Sequence, residues 1–166
     1  TIEIGGREFV FNALTMIDPV TNLVELIRIN NKTAEHVAQQ FENAWLARYP
    51  CPNRCISDQG NEFVGQCFKQ VCKKHENKHV PTTIKNPQSN AICERMHKMI
   101  LDILRITMRT TEIKDEDDTR QIIDNALATM MHATRCSVNH TLQNSPGELV
   151  FRRDMFIDVP VLADLE

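Results

Sequence analysis

The chain predicts an α/β fold, a mixed sheet flanked by helices. Three features point there: a β-rich hairpin pattern near the start, short apolar strands alternating with helical stretches through the middle, and two long amphipathic helices after them. With 166 residues there is room for one domain. The composition, 42% apolar and 25% charged with 5 Gly and 7 Pro, is that of an ordinary globular domain and excludes disordered, fibrous and collagen-like classes. No apolar run approaches the ~20 residues of a membrane-spanning helix, so no membrane partner is expected. Residue 1 is Thr and no charged-then-apolar leader follows it. A signal peptide is therefore not expected, and the chain reads as a piece of something longer.

Arg7 to Ile17 is apolar, rich in β-formers, and reads as a strand. Asp18-Pro19-Val20-Thr21-Asn22 is a turn, and Leu23 to Ile29 is the returning strand. Asn31 or Thr33 can cap a helix to about Arg48, with Val37, Phe41, Ala44, Trp45 and Arg48 at helical spacing; Tyr49-Pro50-Cys51-Pro52 stops it. Arg54 to Ser57 is a short strand that delivers Asp58 at its carboxyl end, and Gln59-Gly60-Asn61 is a tight turn. A helix from about Val64 to His75 and a strand from His79 to Ile84 follow. In the next helix Ile92, Met96, Met99, Ile100, Ile103 and Ile106 make one apolar stripe. Asp118 or Thr119 caps a helix to about Thr134 whose Ile122, Ile123, Ala126, Leu127 and Met130 face inward. Ser145-Pro146-Gly147-Glu148 is a capping box with Pro at the first helical position, opening a last helix through Phe151. The methionines Met96, Met99, Met108, Met130 and Met131 are read as core filling.

Net charge is −3, which by itself argues mildly against a phosphate-binding surface. Distribution qualifies that: Asp115-Glu116-Asp117-Asp118 concentrates negative charge, while Lys85, Arg95, Lys98, Arg105 and Arg109 outnumber Glu94 and Asp102 between positions 85 and 109. The 6 cysteines form no C-x-x-C pair, and Cys51/Cys55 with His75/His79 have the wrong order for a zinc site. They are expected to be reduced intracellular thiols.

Two acids stand out by position. Asp58 sits where a strand ends and a Gly-containing turn begins, the place where α/β folds put ligand-contacting groups. Glu94 lies near the start of the amphipathic helix, with His97 and Lys98 on the same face. One acid from a strand end and one from a helix suit Mg²⁺, which takes a few carboxylate oxygens and keeps its other positions for water or phosphate. The bland alternative makes Asp58 a turn residue and Glu94 a solvent-facing partner of Lys98.

Spacing favours the first reading. Asp58 and Glu94 are separated by 35 residues, in the contexts Ser57-Asp58-Gln59-Gly60-Asn61-Glu62-Phe63 and Asn86-Pro87-Gln88-Ser89-Asn90-Ala91-Ile92-Cys93-Glu94-Arg95. This resembles the catalytic core of retroviral and LTR-retrotransposon integrases, whose signature closes with Asp, 35 residues and Glu. Arg48-Tyr49-Pro50, Glu94-Arg95-Met96-His97 and His140-Thr141-Leu142-Gln143-Asn144-Ser145-Pro146 look most like the Gypsy-type members, and the resemblance runs over essentially the whole chain.

The resemblance implies a ribonuclease-H-like fold, a mixed five-stranded sheet flanked by helices, with its first strand missing from this fragment. Residues 1–166 would be the catalytic core alone, the family's zinc-binding amino-terminal domain and carboxyl-terminal DNA- or chromatin-binding domain lying outside it. The implied function is DNA integration: metal-dependent polynucleotidyl transfer, first trimming the 3′ ends of retroelement DNA and then joining them to target DNA, with two Mg²⁺ (or Mn²⁺) ions. Asp58 and Glu94 are the implied catalytic residues and metal ligands. The first carboxylate of the set is expected on a strand upstream of Thr1, with Asp18, a turn-forming Asp, as its alternative. Lys85, Gln88, Asn90 and Lys98 are the implied DNA contacts; His97 is read as a surface helix residue rather than a general acid. The implied partners are retroelement DNA ends, target DNA and further copies of the chain, and the implied location is the nucleus after a cytoplasmic particle. Many members carry Gly where this chain has Ala91 and Arg152, and little effect is expected at Arg152. Two alternatives stay open: a domesticated or inactive core acting as a DNA-binding or dimerisation module, and a metal-dependent nuclease of the same fold.

Overall fold

A computed structural model describes residues 2–4, 7–82, 94, 97–106 and 116–153, positions 2–4, 7–9 and 116 by backbone alone. β1 (Ile2–Ile4) pairs antiparallel with β2 (Arg7–Phe9), setting Ile2 against Phe9. β3 (Asn12–Ile17) pairs antiparallel with β4 (Val24–Ile29), setting Leu14 against Ile27 and Ile17 against Val24. The single strand expected over Arg7 to Ile17 is therefore two strands. Each half is recruited by a different partner, and Val10, 72% exposed, marks the crossing between the two ladders.

Helix α1 (Ala34–Phe41) starts where Thr33 accepts the His36 N–H at 3.3 Å, while Asn31 Oδ1 takes the Thr33 hydroxyl at 2.7 Å. It runs on into a π-helical turn, Glu42–Leu46, closed by the Ala47 N–H on the Glu42 carbonyl at 2.9 Å. The extra residue brings Tyr49 beside Trp45, ring centroids 5.1 Å apart. β5 (Arg54–Ser57) and β6 (Lys78–Pro81) are parallel, Cys55 level with His79, and are joined by α2 (Asn61–Val64) and α3 (Gln66–Lys74). One helix was expected over 64–75. Gly65, extended at φ −60° and ψ 155°, breaks it, and a Cβ there would lie 2.5 Å from Ala34 Cβ, so α1 sits close because residue 65 has no side chain. α4 (97–106) follows. α5 (Glu116–Cys136) already contains Asp118 and Thr119, the two expected caps, within its described span. α6 (Pro146–Phe151) opens on the expected Ser145 cap, which accepts the Glu148 N–H at 3.1 Å.

The period-two alternation of β3 and β4 gives the hairpin two buried faces. Leu14, Leu23 and Ile29 pack with Val37, Phe41 and Trp45 of the α1 stretch and with Phe68 and Cys72 of α3; Cys55 of β5 joins the same core. Val24 and Leu26 pack on the opposite face against Ile100 and Leu104 of α4 and Ile123, Ala126, Leu127 and Met130 of α5. The α4 stripe turns out to be centred on Ile100 and Leu104, the latter fully buried, whereas Met99 and Ile106, expected inside, are exposed. Met130 is buried as expected; Met96 and Met108 lie outside the described side chains.

The fold is a mixed α/β arrangement, but the described ladders are three two-stranded pairs rather than one five-stranded sheet. The edge of β3 away from β4 and the edge of β5 away from β6 carry no ladder partner among the described residues. No described helix is long and apolar enough to cross a membrane.

Candidate active site

β5 ends at Ser57, and three bonds fasten that end. The Thr82 N–H reaches the Ser57 carbonyl at 2.7 Å, Gln59 Nε2 donates to the Thr82 carbonyl at 3.0 Å, and Ser57 Oγ lies 2.9 Å from His79 Nε2. Ser57 spends its one hydroxyl proton on the Asp58 carbonyl at 2.8 Å, so His79 must be the donor, its hydrogen on Nε2. Burial, then the charge of Lys69, lowers the His79 pKa and keeps the ring neutral for that role; the ring also stands edge-on to Phe68, centroids 5.1 Å apart.

Asp58 follows at once and is exposed. Its Oδ1 accepts the Gly60 N–H at 3.0 Å, an Asx turn that aims the carboxylate, and Oδ2 has no partner among the described residues. Gly60 leaves room for this arrangement: a Cβ would lie 2.7 Å from Glu62 Oε2, the movable end of that side chain, and 3.0 Å from Asp58 Oδ1.

Glu94 is helical and exposed, and no ion pair joins it to Lys98 among the described residues. The solvent pair offered as its bland explanation is not formed. His97, three residues on, bonds through Nε2 to Thr15 Oγ1 of β3 at 2.9 Å. Lys98 is exposed on α4; Lys85, Gln88 and Asn90 lie outside the described residues. Asp18 spends both carboxylate oxygens on its own turn: Oδ1 accepts the Val20 N–H at 3.1 Å, and Oδ2 accepts the Thr21 hydroxyl at 2.6 Å. It behaves as a turn residue.

Two hard oxygen donors, each with a carboxylate oxygen unspent among the described residues, suit Mg²⁺ or Mn²⁺ by donor chemistry. They are two and not three: no group of three or more His, Cys, Asp or Glu side chains among the described residues is arranged to hold a metal. Cys51, Cys55, Cys67, Cys72 and Cys136 are free thiols, and burial pushes the Cys55 pKa up to about 12, so without a metal its thiol stays protonated at neutral pH.

Sequence reasoning missed the supporting groups Thr15, Ser57, Gln59 and His79. Thr15 carried at most a weak signal, being one of two polar residues in β3, the other being Asn12. The Ser57–His79 bond carried none, because it exists only through the parallel pairing of β5 with β6.

Residues 1–87, just over half of the chain, match the family model described as "Integrase core domain". The chain belongs to that family. Among curated proteins this integrase core is similar to the retrovirus-related Pol polyprotein from transposon 412 of Drosophila melanogaster, 26% identical over 106 residues, which is 64% of this chain and 8% of that protein. It is also similar to the Pol polyprotein from transposon TNT 1-94 of Nicotiana tabacum, 32% identical over 113 residues, 66% of this chain and 8% of that one. The intracisternal A-particle Pol-related polyprotein of mouse is 27% identical over 107 residues and matched over 11% of its length. The integrase core thus spans about a tenth of the curated relatives it matches. Among solved structures, the catalytic core domain of BIV integrase superposes with a TM-score of 0.65 at 20% identity, covering 86% of this chain and 91% of that one. The likeness establishes the retroviral integrase-core, ribonuclease-H-like fold.

Proposed function

We propose that this integrase core carries out metal-dependent polynucleotidyl transfer on DNA as the catalytic domain of a retroelement integrase, within a longer polyprotein of Gypsy type. The observation that carries the reading is Asp58, delivered at the carboxyl end of β5 with one carboxylate oxygen engaged in its own turn and the other unspent. Asp58 and Glu94 would hold the ions, two Mg²⁺ or Mn²⁺ when the ligand set is complete. Bound there, they supply Lewis acidity to the attacking and leaving oxygens of an in-line displacement, so no Ser, Cys or His nucleophile is needed. The chain's own part is to fix the carboxylates, through the Asx turn at Asp58 and the Thr15–His97 bond beside Glu94, and to hold DNA phosphate near Lys98, with Lys85, Gln88 and Asn90 on the neighbouring segment.

The third carboxylate is assigned to a strand preceding Thr1. Two observations support this: Asp18 is consumed by its turn, and β3 and β5 share a core yet each has an edge with no ladder partner among the described residues, where a further strand would fit. Retroelement DNA ends and target DNA would be the substrates, further copies of the chain the partners, and the nucleus the site of action.

The test is a disintegration assay, the reversal of strand joining on branched DNA with Mn²⁺, run on this chain and on one extended upstream. Activity in the extended form alone, abolished by Asp58→Asn or Glu94→Gln, is the expected result. Activity in the short chain that disappears with Asp18→Asn would move the third ligand to Asp18. Silence from both folded forms would favour a non-catalytic DNA-binding or dimerisation module.

A further inference from the structure

We infer that His97, held by Thr15, is a positioning residue for Glu94: the bond between α4 and β3 sets the direction of the carboxylate that the proposed reaction needs. The inference rests on the function proposed above. Residues three apart on a helix share a face. A bond that turns His97 toward β3 therefore turns Glu94, helical and three residues earlier, the same way.

The geometry singles this bond out. Asp102–Arg105 is an intrahelical ion pair, and the buried side chains Ile100 and Leu104 hold the next turns of α4 to β4 and α5. Of the described polar side chains in α4, His97 is the one with a side-chain bond to the sheet, and it is the nearest of them to Glu94 in sequence. Without the bond, apolar packing still holds the helix from Ile100 onward, and its first turn is left to fray. Either ring tautomer makes the bond, since a hydroxyl both donates and accepts. Positioning is thus insensitive to which nitrogen carries the hydrogen.

The experiment uses the full-length protein with Thr15→Val, which removes the hydroxyl at nearly constant shape, and Thr15→Ser, which keeps it. Three quantities are read: amide hydrogen exchange across 97–106 with α5 amides as a folding control, Mn²⁺ binding followed by the electron paramagnetic resonance of free Mn²⁺, and the Mn²⁺ dependence of DNA joining. Thr15→Val is expected to speed exchange in the first turn of α4 alone. It should also raise the Mn²⁺ concentration for half-maximal binding and joining by about threefold to tenfold, as one hydrogen bond is worth, with the rate at saturating Mn²⁺ nearly unchanged. Thr15→Ser is expected to restore both. His97→Leu should reproduce Thr15→Val, and the double variant should be no worse than either single one. Thr15→Val indistinguishable from the parent in exchange and metal dependence, in a protein that does bind Mn²⁺ and join DNA, overturns the inference and leaves the proposed function standing. A parent protein with no Mn²⁺ binding that Asp58→Asn abolishes overturns the proposed function and the inference with it.

Discussion

Asn77, in the link between α3 and β6, is 6% exposed, and neither its Oδ1 nor its Nδ2 finds a partner among the described residues. A buried amide left unpaired costs about 1–3 kcal/mol, so Asn77→Leu, close to it in volume, is expected to raise the melting temperature by about 3–6 °C. Thermal denaturation of the pair checks this. Arg152 corrects an expectation. It was read as an exposed departure from the family's Gly with little effect, yet it terminates α6 in the left-handed conformation at φ 54°. A non-Gly residue pays roughly 1 kcal/mol there, which is the physical reason for a glycine, and Arg152→Gly should recover part of it in a denaturant titration. At the site, Gly60→Ala is expected to leave stability within about 1 kcal/mol, because the flexible Glu62 can swing away. It should nonetheless depress metal-dependent activity by displacing the Asp58 carboxylate that a Cβ would crowd at 3.0 Å. Equal activity in Gly60→Ala would mean the Asx turn does not aim Asp58. At this scale the sequence was most legible where chemistry is local: Asp58 at a strand end, Asp18 as a turn residue and Ser145 as a cap all follow from neighbours within three residues.

At the scale of elements, periodicity located the longer described helices but missed α2, whose Asn61 it placed in a turn, and misplaced details that depend on partners. The α4 stripe was centred by counting isoleucines and methionines, whereas the helix turns Leu104 inward because β4 and α5 lie on that side. The break at Gly65 and the π-helical turn after Phe41 are likewise set by contacts between elements: Ala34 against Gly65, and Tyr49 reaching Glu25. Glu25 is a carboxylate buried in β4, bonded to the Tyr49 hydroxyl and, at 2.6 Å, to Arg135 Nη2 of α5. Burial and this carboxylate raise the Tyr49 pKa to about 12, so the phenol stays a donor at any ordinary pH. Arg135→Met leaves the buried charge with the more distant Arg48, at 4.0 Å, in place of its close cation and is expected to cost about 3 kcal/mol. Adding Glu25→Leu should return most of that, so a double-mutant cycle by chemical denaturation checks whether the two act as a pair. Gly65→Ala should destabilise by about 1–3 kcal/mol, since Ala34 Cβ cannot move without its helix.

For the whole molecule, strand pairing was the least legible feature. From β2 onward the strands were visible as short apolar runs, but β1, the split of Arg7 to Ile17 between two ladders, and the division of the sheet into separate pairs were not, because they depend on pairing rather than on local pattern. The proposed site is spread in the same way, over the residue that follows β5, the helical Glu94 and a strand proposed to lie between the ladders. The pH response also belongs to this scale. His79 has its pKa lowered in the fold, so below its ordinary value near 6.5 the unfolded chain takes up a proton that the folded chain refuses. Stability should therefore be full above that value and fall as pH drops toward the folded pKa. His79→Gln is expected to flatten this part of a stability-against-pH curve and leave the rest unchanged.

The central claim is that Asp58 and Glu94 share a divalent ion. It is tested most directly by diffraction from crystals of the upstream-extended chain soaked in Mn²⁺, read by the anomalous signal of the metal. The account predicts a peak bonded to oxygens of both carboxylates, lost in Asp58→Asn. A folded chain with no peak there, or with Mn²⁺ bound elsewhere and undisturbed by Asp58→Asn, would contradict it.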